Sequence, residues 1–276
     1  MARTVADAAI VLGAIAGIDK RDPATATSEG LYHRDYTKFL DADGLRGARI
    51  GIPRQQYFGY SAKADAIANA AIERMRELGA EIIDNADIAT AKQMRSSESE
   101  MTVLLYEFKA DLNAYLAELI DSPVRSMADV IAFNEAHAEQ ELPYFGHDLM
   151  VKAQNTTSLE DQGYLEALAE NRRLAREEGI DAVMNQHRLD ALVMPSTSPA
   201  WLIDHINGDH HLGSSSQPAA LAGYPAITVP AGYTFELPIG ITFMGRAYSE
   251  PTLIKLAYAF EQATHARRAP RYLPTI

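Results

Sequence analysis

Asp204, His205, Asp209, His210 and His211 fall within eight residues, and Ser214, Ser215 and Ser216 follow almost at once. Two chemistries are open to such a stretch. Imidazole and carboxylate groups ligate zinc and similar ions, and a histidine beside a serine can activate a hydroxyl nucleophile. The spacing favours neither. The histidines and aspartates match no established metal-ligand interval, and Asn207-Gly208 divides them with a turn signal. A nucleophile elbow needs Gly-x-Ser-x-Gly, whereas Gln217-Pro218 follows these serines. The residues alone predict a solvated loop with no bound metal, its hydroxyls capping the next helix.

Other reactive chemistries have less to stand on. The chain has no cysteine, so disulfides, thiolate metal sites and a cysteine nucleophile are excluded together. Gly13 and Gly17 do not make a nucleotide-binding fingerprint, and no phosphate-binding loop occurs. Tyr57, Phe58 and Tyr60 form a short aromatic cluster, expected to pack rather than bind. The formal charge is −12, which argues against nucleic acid or an anionic membrane surface as partner.

Arg3 ahead of the apolar run Ala8 to Ile18 imitates a targeting signal, but Thr4 and Asp7 read better as a helix start. No run reaches the roughly 20 apolar residues of a membrane span. The default expectation is a cytoplasmic protein.

Helix and strand patterns alternate along the chain. Arg49 to Pro53 reads as a strand, and Ile67, Ala71, Met75 and Leu78 recur at helical spacing before Gly79. Glu81 to Ile83 then resumes as a strand, which makes a βαβ unit with parallel strands. From about 98 to 185 the pattern is helical. Leu105, Phe108, Leu112, Tyr115, Leu116 and Leu119 mark one expected buried face. Ser126 with Asp129, and Ser158 with Asp161, are expected to open two further helices. Strands return at Ala191 to Met194, Ala226 to Val229 and Ile239 to Met244, and a last helix opens near Ser249-Glu250-Pro251. The class is α/β, read as a single domain over residues 1–276 around a sheet at least partly parallel.

Several ordered stretches resemble the amidase signature family. Met1-Ala2-Arg3-Thr4-Val5-Ala6-Asp7-Ala8-Ala9 is similar to the helix that follows its catalytic core, and Leu45 to Pro53 to its next strand. Tyr115-Leu116-Ala117, Asp129 to Asn134 and Leu189 to Ser196 are similar to central landmarks. Ala222-Gly223-Tyr224-Pro225-Ala226-Ile227-Thr228-Val229-Pro230-Ala231-Gly232 is the strongest match, followed by Leu237 to Ile241 and Phe260 to Thr264. The resemblance implies the C-terminal portion of that fold, a mixed sheet covered by helices. It also implies hydrolysis of a carboxamide to acid and ammonia or amine, without a cofactor.

The family's lysine, cis-peptide serine and nucleophilic serine lie ahead of the motif that opens this sequence. No Gly/Ser-rich nucleophile tract occurs within it. No catalytic residue is therefore assigned, and the chain alone is expected to be inactive and truncated relative to the family. The resemblance makes Ser214, Ser215, Ser216, Gly223, Tyr224 and Pro225 candidates for the substrate wall. Trp201, the only tryptophan, follows a loop that the family sets near its channel, and its pocket role stands beside simple packing. At His147 the family often has glutamine. The expected partner is a small-molecule or peptide amide, and the landmarks lean toward the peptide amidase branch. Surface left open by the absent half would favour self-association. A non-catalytic binding or assembly protein is the alternative.

Overall fold

The computed structural model describes residues 1–272. Thr4 opens α1 (Val5–Ile15), its hydroxyl accepting from the Asp7 amide as the Thr-x-x-Asp pattern requires. An irregular stretch leads to β1 (Arg49–Ile52) and the short α2 (Arg54–Tyr57). Ser61 caps α3 (Ala62–Glu77), and Gly79 follows in the left-handed region before β2 (Glu81–Asp84). β1 and β2 pair in parallel, Ile50 opposite Ile82, as the βαβ reading anticipates.

The central helices are α4 (Ala91–Ser96), α5 (Ser99–Glu118), α6 (Met127–Ala136), α7 (Ala138–Glu141), α8 (Asp148–Gln154) and α9 (Gln162–Ala175). Ser126 caps α6 through the Asp129 amide. Two expectations fail here. Of the six residues assigned to a buried face of α5 only Leu116 is buried, and Phe108 and Tyr115 are exposed. The helix packs chiefly against α8 and α9, which leaves Met101, Leu104, Phe108 and Tyr115 exposed. Nor does Ser158 open α9. Asp161 is itself the cap, accepting from Gly163 N at 2.8 Å while Thr157 holds its other oxygen.

A wide turn over Arg176–Ile180 links α9 to α10 (Asp181–His187). Gly179 sits in it outside helical φ/ψ, where a Cβ would lie 2.3 Å from the Leu174 carbonyl oxygen. The chain then forms β3 (Ala191–Pro195), α11 (Gln217–Ala222), β4 (Ala226–Thr234), β5 (Leu237–Met244) and α12 (Glu250–Thr264).

The five strands make one mixed sheet in the order β2-β1-β3-β5-β4. β3 is parallel to β1, while β5 runs antiparallel to both β3 and β4. β4 and β5 form a hairpin whose turn residues, Phe235 and Glu236, both have positive φ, which fits the twist of the strands. Alternation along the strands splits the core. Ile50, Ile52, Val193, Phe243 and Val229 pack with α1, α3 and α12 on one face. Leu192, Met194 and Met244 pack with α4, α9, α10 and α11 on the other. The mixed α/β class with helices on both faces is the one the sequence predicts. No described helix is long and apolar enough to cross a membrane.

Candidate functional site

The serine-rich segment is tied to the end of β3 by its backbone. Thr197 bridges Ser214, the Ser198 amide donates to the Gly213 carbonyl at 3.1 Å, and the Ser215 amide donates to the Ser196 carbonyl at 3.1 Å. Ser215 is 1% exposed, and its hydroxyl donates to that same carbonyl at 3.3 Å. Ser214 is half-buried and Ser216, at the start of α11, is exposed. The Ser216 side chain makes no capping bond, so its predicted capping role has no counterpart.

Gly223, Tyr224 and Pro225 stand at the other end of α11. Six helical residues at 1.5 Å rise set them roughly 9 Å from the serines. Gly223 takes the left-handed conformation that closes the helix, with φ 65°. Arg176, projected from the wide turn, donates from Nε to the Ala222 carbonyl at 2.7 Å, and its guanidinium lies 5.6 Å from the Tyr224 ring centre. The Tyr224 hydroxyl donates to Asp181 Oδ2 at 2.7 Å. Burial, and then the Asp181 carboxylate, push the phenol up to about 12.

The predicted wall residues therefore form two groups joined by one short helix. Pro225 borders a groove of ≈ 190 Å³ with Ala8, Leu12, Ile227, Leu253 and Ile254. Gly223 borders a cleft of ≈ 230 Å³ between α5, α9 and α11. Trp201 is 36% exposed and meets His211 edge to face, with ring centres 5.7 Å apart. His205 points elsewhere, stacked on Tyr144 at 4.1 Å. Asp204 is held by the Ile206 and Asn207 amides, which keep its carboxyl below the usual range. No described group of three or more His, Asp or Glu side chains is placed to hold a metal ion. Tyr57 is buried against the second core, as packing predicts.

One polar cluster was not predicted. Ser196 Oγ lies 2.7 Å from Thr242 Oγ1, Thr242 lies 2.8 Å from Thr228 Oγ1, and Ser196 closes on Thr228 at 3.4 Å. These hydroxyls come from the end of β3, from β5 and from β4, on one face of the sheet, with Thr228 at the open end. The Ser196 carbonyl is the acceptor that anchors Ser215, so cluster and loop form one unit. Nearby in sequence, Ser198 Oγ is buried without a partner among the described residues. The sequence signal was available: Thr228 and Thr242 are lone hydroxyls inside apolar strand runs.

Known proteins of similar sequence share this fold. The Amidase family profile matches residues 1–254. A probable amidase of Arabidopsis thaliana is 39% identical over 277 residues, covering 98% of this chain and 49% of that protein. A crystal structure of a peptide amidase with the competitive inhibitor chymostatin superposes with TM-score 0.92 and 48% identity, covering 99% of this chain and 55% of the other. Native peptide amidase from Stenotrophomonas maltophilia gives 0.90 and 47%, covering 99% and 54%. The chain spans about half the length of these relatives.

Proposed function

The chain belongs to the amidase family, and from that premise we propose that it supplies the floor and one wall of a site that hydrolyses carboxamides. The reaction is attack of a hydroxyl on the amide carbon, loss of ammonia or amine, and hydrolysis of the acyl intermediate by water. The observation that carries the reading is the end-to-end superposition on a peptide amidase that binds a competitive inhibitor.

In this reading the loop of Ser214 to Ser216 and the turn Gly223-Tyr224-Pro225 border the substrate from the two ends of α11, with Trp201 beside them. Ser216 and Gly223 are exposed and can meet an amide through hydroxyl and carbonyl, while Ser215 holds the loop to β3. The likeness to peptide amidases favours peptide C-terminal amides as the substrate class. Nucleophile, relay serine and lysine have no matching motif in this sequence, so turnover requires residues that this chain does not itself carry.

The test has two arms. The purified chain should release no ammonia from a panel of peptide and simple carboxamides, and a fluorophosphonate should label none of its serines. Joined to the remainder of a peptide amidase, it should restore turnover, and Ser214→Ala, Ser215→Ala and Ser216→Ala should be compared over several amides. Losing one substrate hydrogen bond costs on the order of 1 kcal/mol, about fivefold in kcat/KM. Serine-dependent turnover by the chain alone, or unchanged selectivity in all three variants, would reject the reading.

A further inference from the structure

The chain has eight asparagines, and only Asn207 precedes a glycine. Such a pair is chemically labile, because glycine has no Cβ to keep its amide nitrogen from the carboxamide carbon of the residue before it. The fold restrains the other seven. Asn69, Asn113, Asn134, Asn171 and Asn185 lie inside α3, α5, α6, α9 and α10, where the following amide is held in the helix. Asn85 is followed by Ala86, which is fully buried and donates its amide to the Ile52 carbonyl at 3.1 Å. Asn155 is followed by β-branched Thr156, whose amide donates to the Ala153 carbonyl at 3.0 Å.

Asn207 and Gly208 are both exposed, in the loop between β3 and α11. Gly208 has φ 85°, and a Cβ built on it would meet nothing within 4 Å, so the backbone has room to turn there. One residue holds the turn. Asp204 accepts the Ile206 and Asn207 amides on Oδ1 and the Asn207 carboxamide on Oδ2, each at 2.9 Å. Its carbonyl accepts the Gly208 amide at 3.0 Å. Both groups that must meet are therefore tethered to Asp204, by hydrogen bonds at the surface that open locally.

We propose that Asn207 is a self-modification site, where the Gly208 amide nitrogen attacks the Asn207 carboxamide carbon and Asp204 is the brake. The N–Cγ bond forms as the Cγ–Nδ2 bond breaks, and Nδ2 leaves as ammonia with the proton from the Gly208 amide. Water then opens the cyclic imide at either carbonyl, which gives aspartate, or isoaspartate with the chain running through the side chain. Either product carries a carboxylate in place of the carboxamide. The bond to Asp204 Oδ2 gives way to repulsion between two carboxylates, and the turn opens. That turn lies between Trp201, set against His211, and the stack of His205 on Tyr144, so the change loosens the whole loop. The inference rests on the geometry of the turn and not on the substrate reading.

The test is to age the purified chain at mildly alkaline pH and digest it for mass spectrometry. A gain of about 1 Da is expected at residue 207 ahead of every other asparagine, with one ammonia released per converted chain and methyl acceptance from an isoaspartyl methyltransferase. Asn207→Gln, which would need a larger ring, should slow the release at least about tenfold, and Asp204→Ala should speed it at least about threefold. Trp201 is the only tryptophan, so its fluorescence reads the same loop. Emission should move to longer wavelength in the aged chain and in Asn207→Asp, at unchanged helix content by circular dichroism. Another asparagine converting first, equal or slower conversion in Asp204→Ala, or Trp201 emission unaltered by conversion would each overturn the proposal. No carboxamide is added, so the outcome is independent of whether the chain takes part in hydrolysing one.

Discussion

Thr242→Val removes the middle hydroxyl of the Ser196, Thr242 and Thr228 cluster and keeps the side-chain shape. Three hydroxyls can share at most three hydrogen bonds, because each donates one proton. Without Thr242 only the 3.4 Å Ser196 to Thr228 contact remains, so two bonds are lost. A net hydrogen bond contributes about 1 kcal/mol. Thr228 is exposed and recovers its share from water, whereas half-buried Ser196 does so incompletely. Part of the loss is offset because Thr242 is nearly buried and valine gains apolar contact there.

The expected result is a destabilisation of about 1 kcal/mol for Thr242→Val and under about 0.5 kcal/mol for Thr228→Val. Urea unfolding should show a lower midpoint at unchanged slope, with a fall in Tm of roughly 2 °C for a domain of this size. A double-mutant cycle with Ser196→Ala should return a coupling of at least about 0.5 kcal/mol, since the two groups are in contact. Equal or greater stability in Thr242→Val, with no coupling, would refute the hydroxyl network.

Arg176→Met should destabilise by roughly 1–2 kcal/mol, because the Ala222 carbonyl loses a charged donor and Tyr224 a cation; faster amide exchange at Gly223 and Tyr224 checks it. Glu261→Ala should loosen α1, whose Val5 amide donates to Glu261 Oε1 at 2.9 Å, and limited proteolysis near residues 16–22 should quicken. Tyr60 and Tyr224 have phenols raised to about 12, chiefly by burial. A raised pKa stabilises the fold fully below the unfolded value of about 10 and is lost as pH rises toward 12; unfolding at pH 9 and pH 11.5 should show the drop, and Tyr224→Phe should shrink it.

Local signals carried much of the fold because local bonds enforce them. Thr4 and Ser126 cap helices through the third amide on, and Gly79 closes α3, each decided within a few residues. Leu253, Leu256, Ala257 and Phe260 recur at helical spacing on α12 and are all buried, because the sheet lies against that face. The face assigned to α5 failed because apolar periodicity states which side could be buried, not whether anything lies against it. Of the candidate wall, Ser215 and Tyr224 stand out in the sequence as polar groups, but their bonds to Ser196 and Asp181 cross 19 and 43 residues and are not legible there. The hydroxyl cluster escaped because its members are separated by 14 and 46 residues and meet only through strand register.

That register also explains why the hydroxyl row is open on one side. In β5, Thr242 sits between β3 and β4, so its hydroxyl is enclosed by partners on both sides and is nearly buried. Thr228 holds the same position one strand further out and is exposed because no described strand pairs beyond it. The same holds on the opposite face, where Ile227 is only partly covered although Phe243, beside it in register, is fully buried. Burial thus falls from β5 to β4 at these two matched positions, one on each face, although Val229 opposite Ile241 stays buried, and the residue chemistry does not become more polar. A sheet that tapered to solvent by design would place charge there, as β2 does with Glu81 and Asp84. The gradient belongs to pairing and not to sequence.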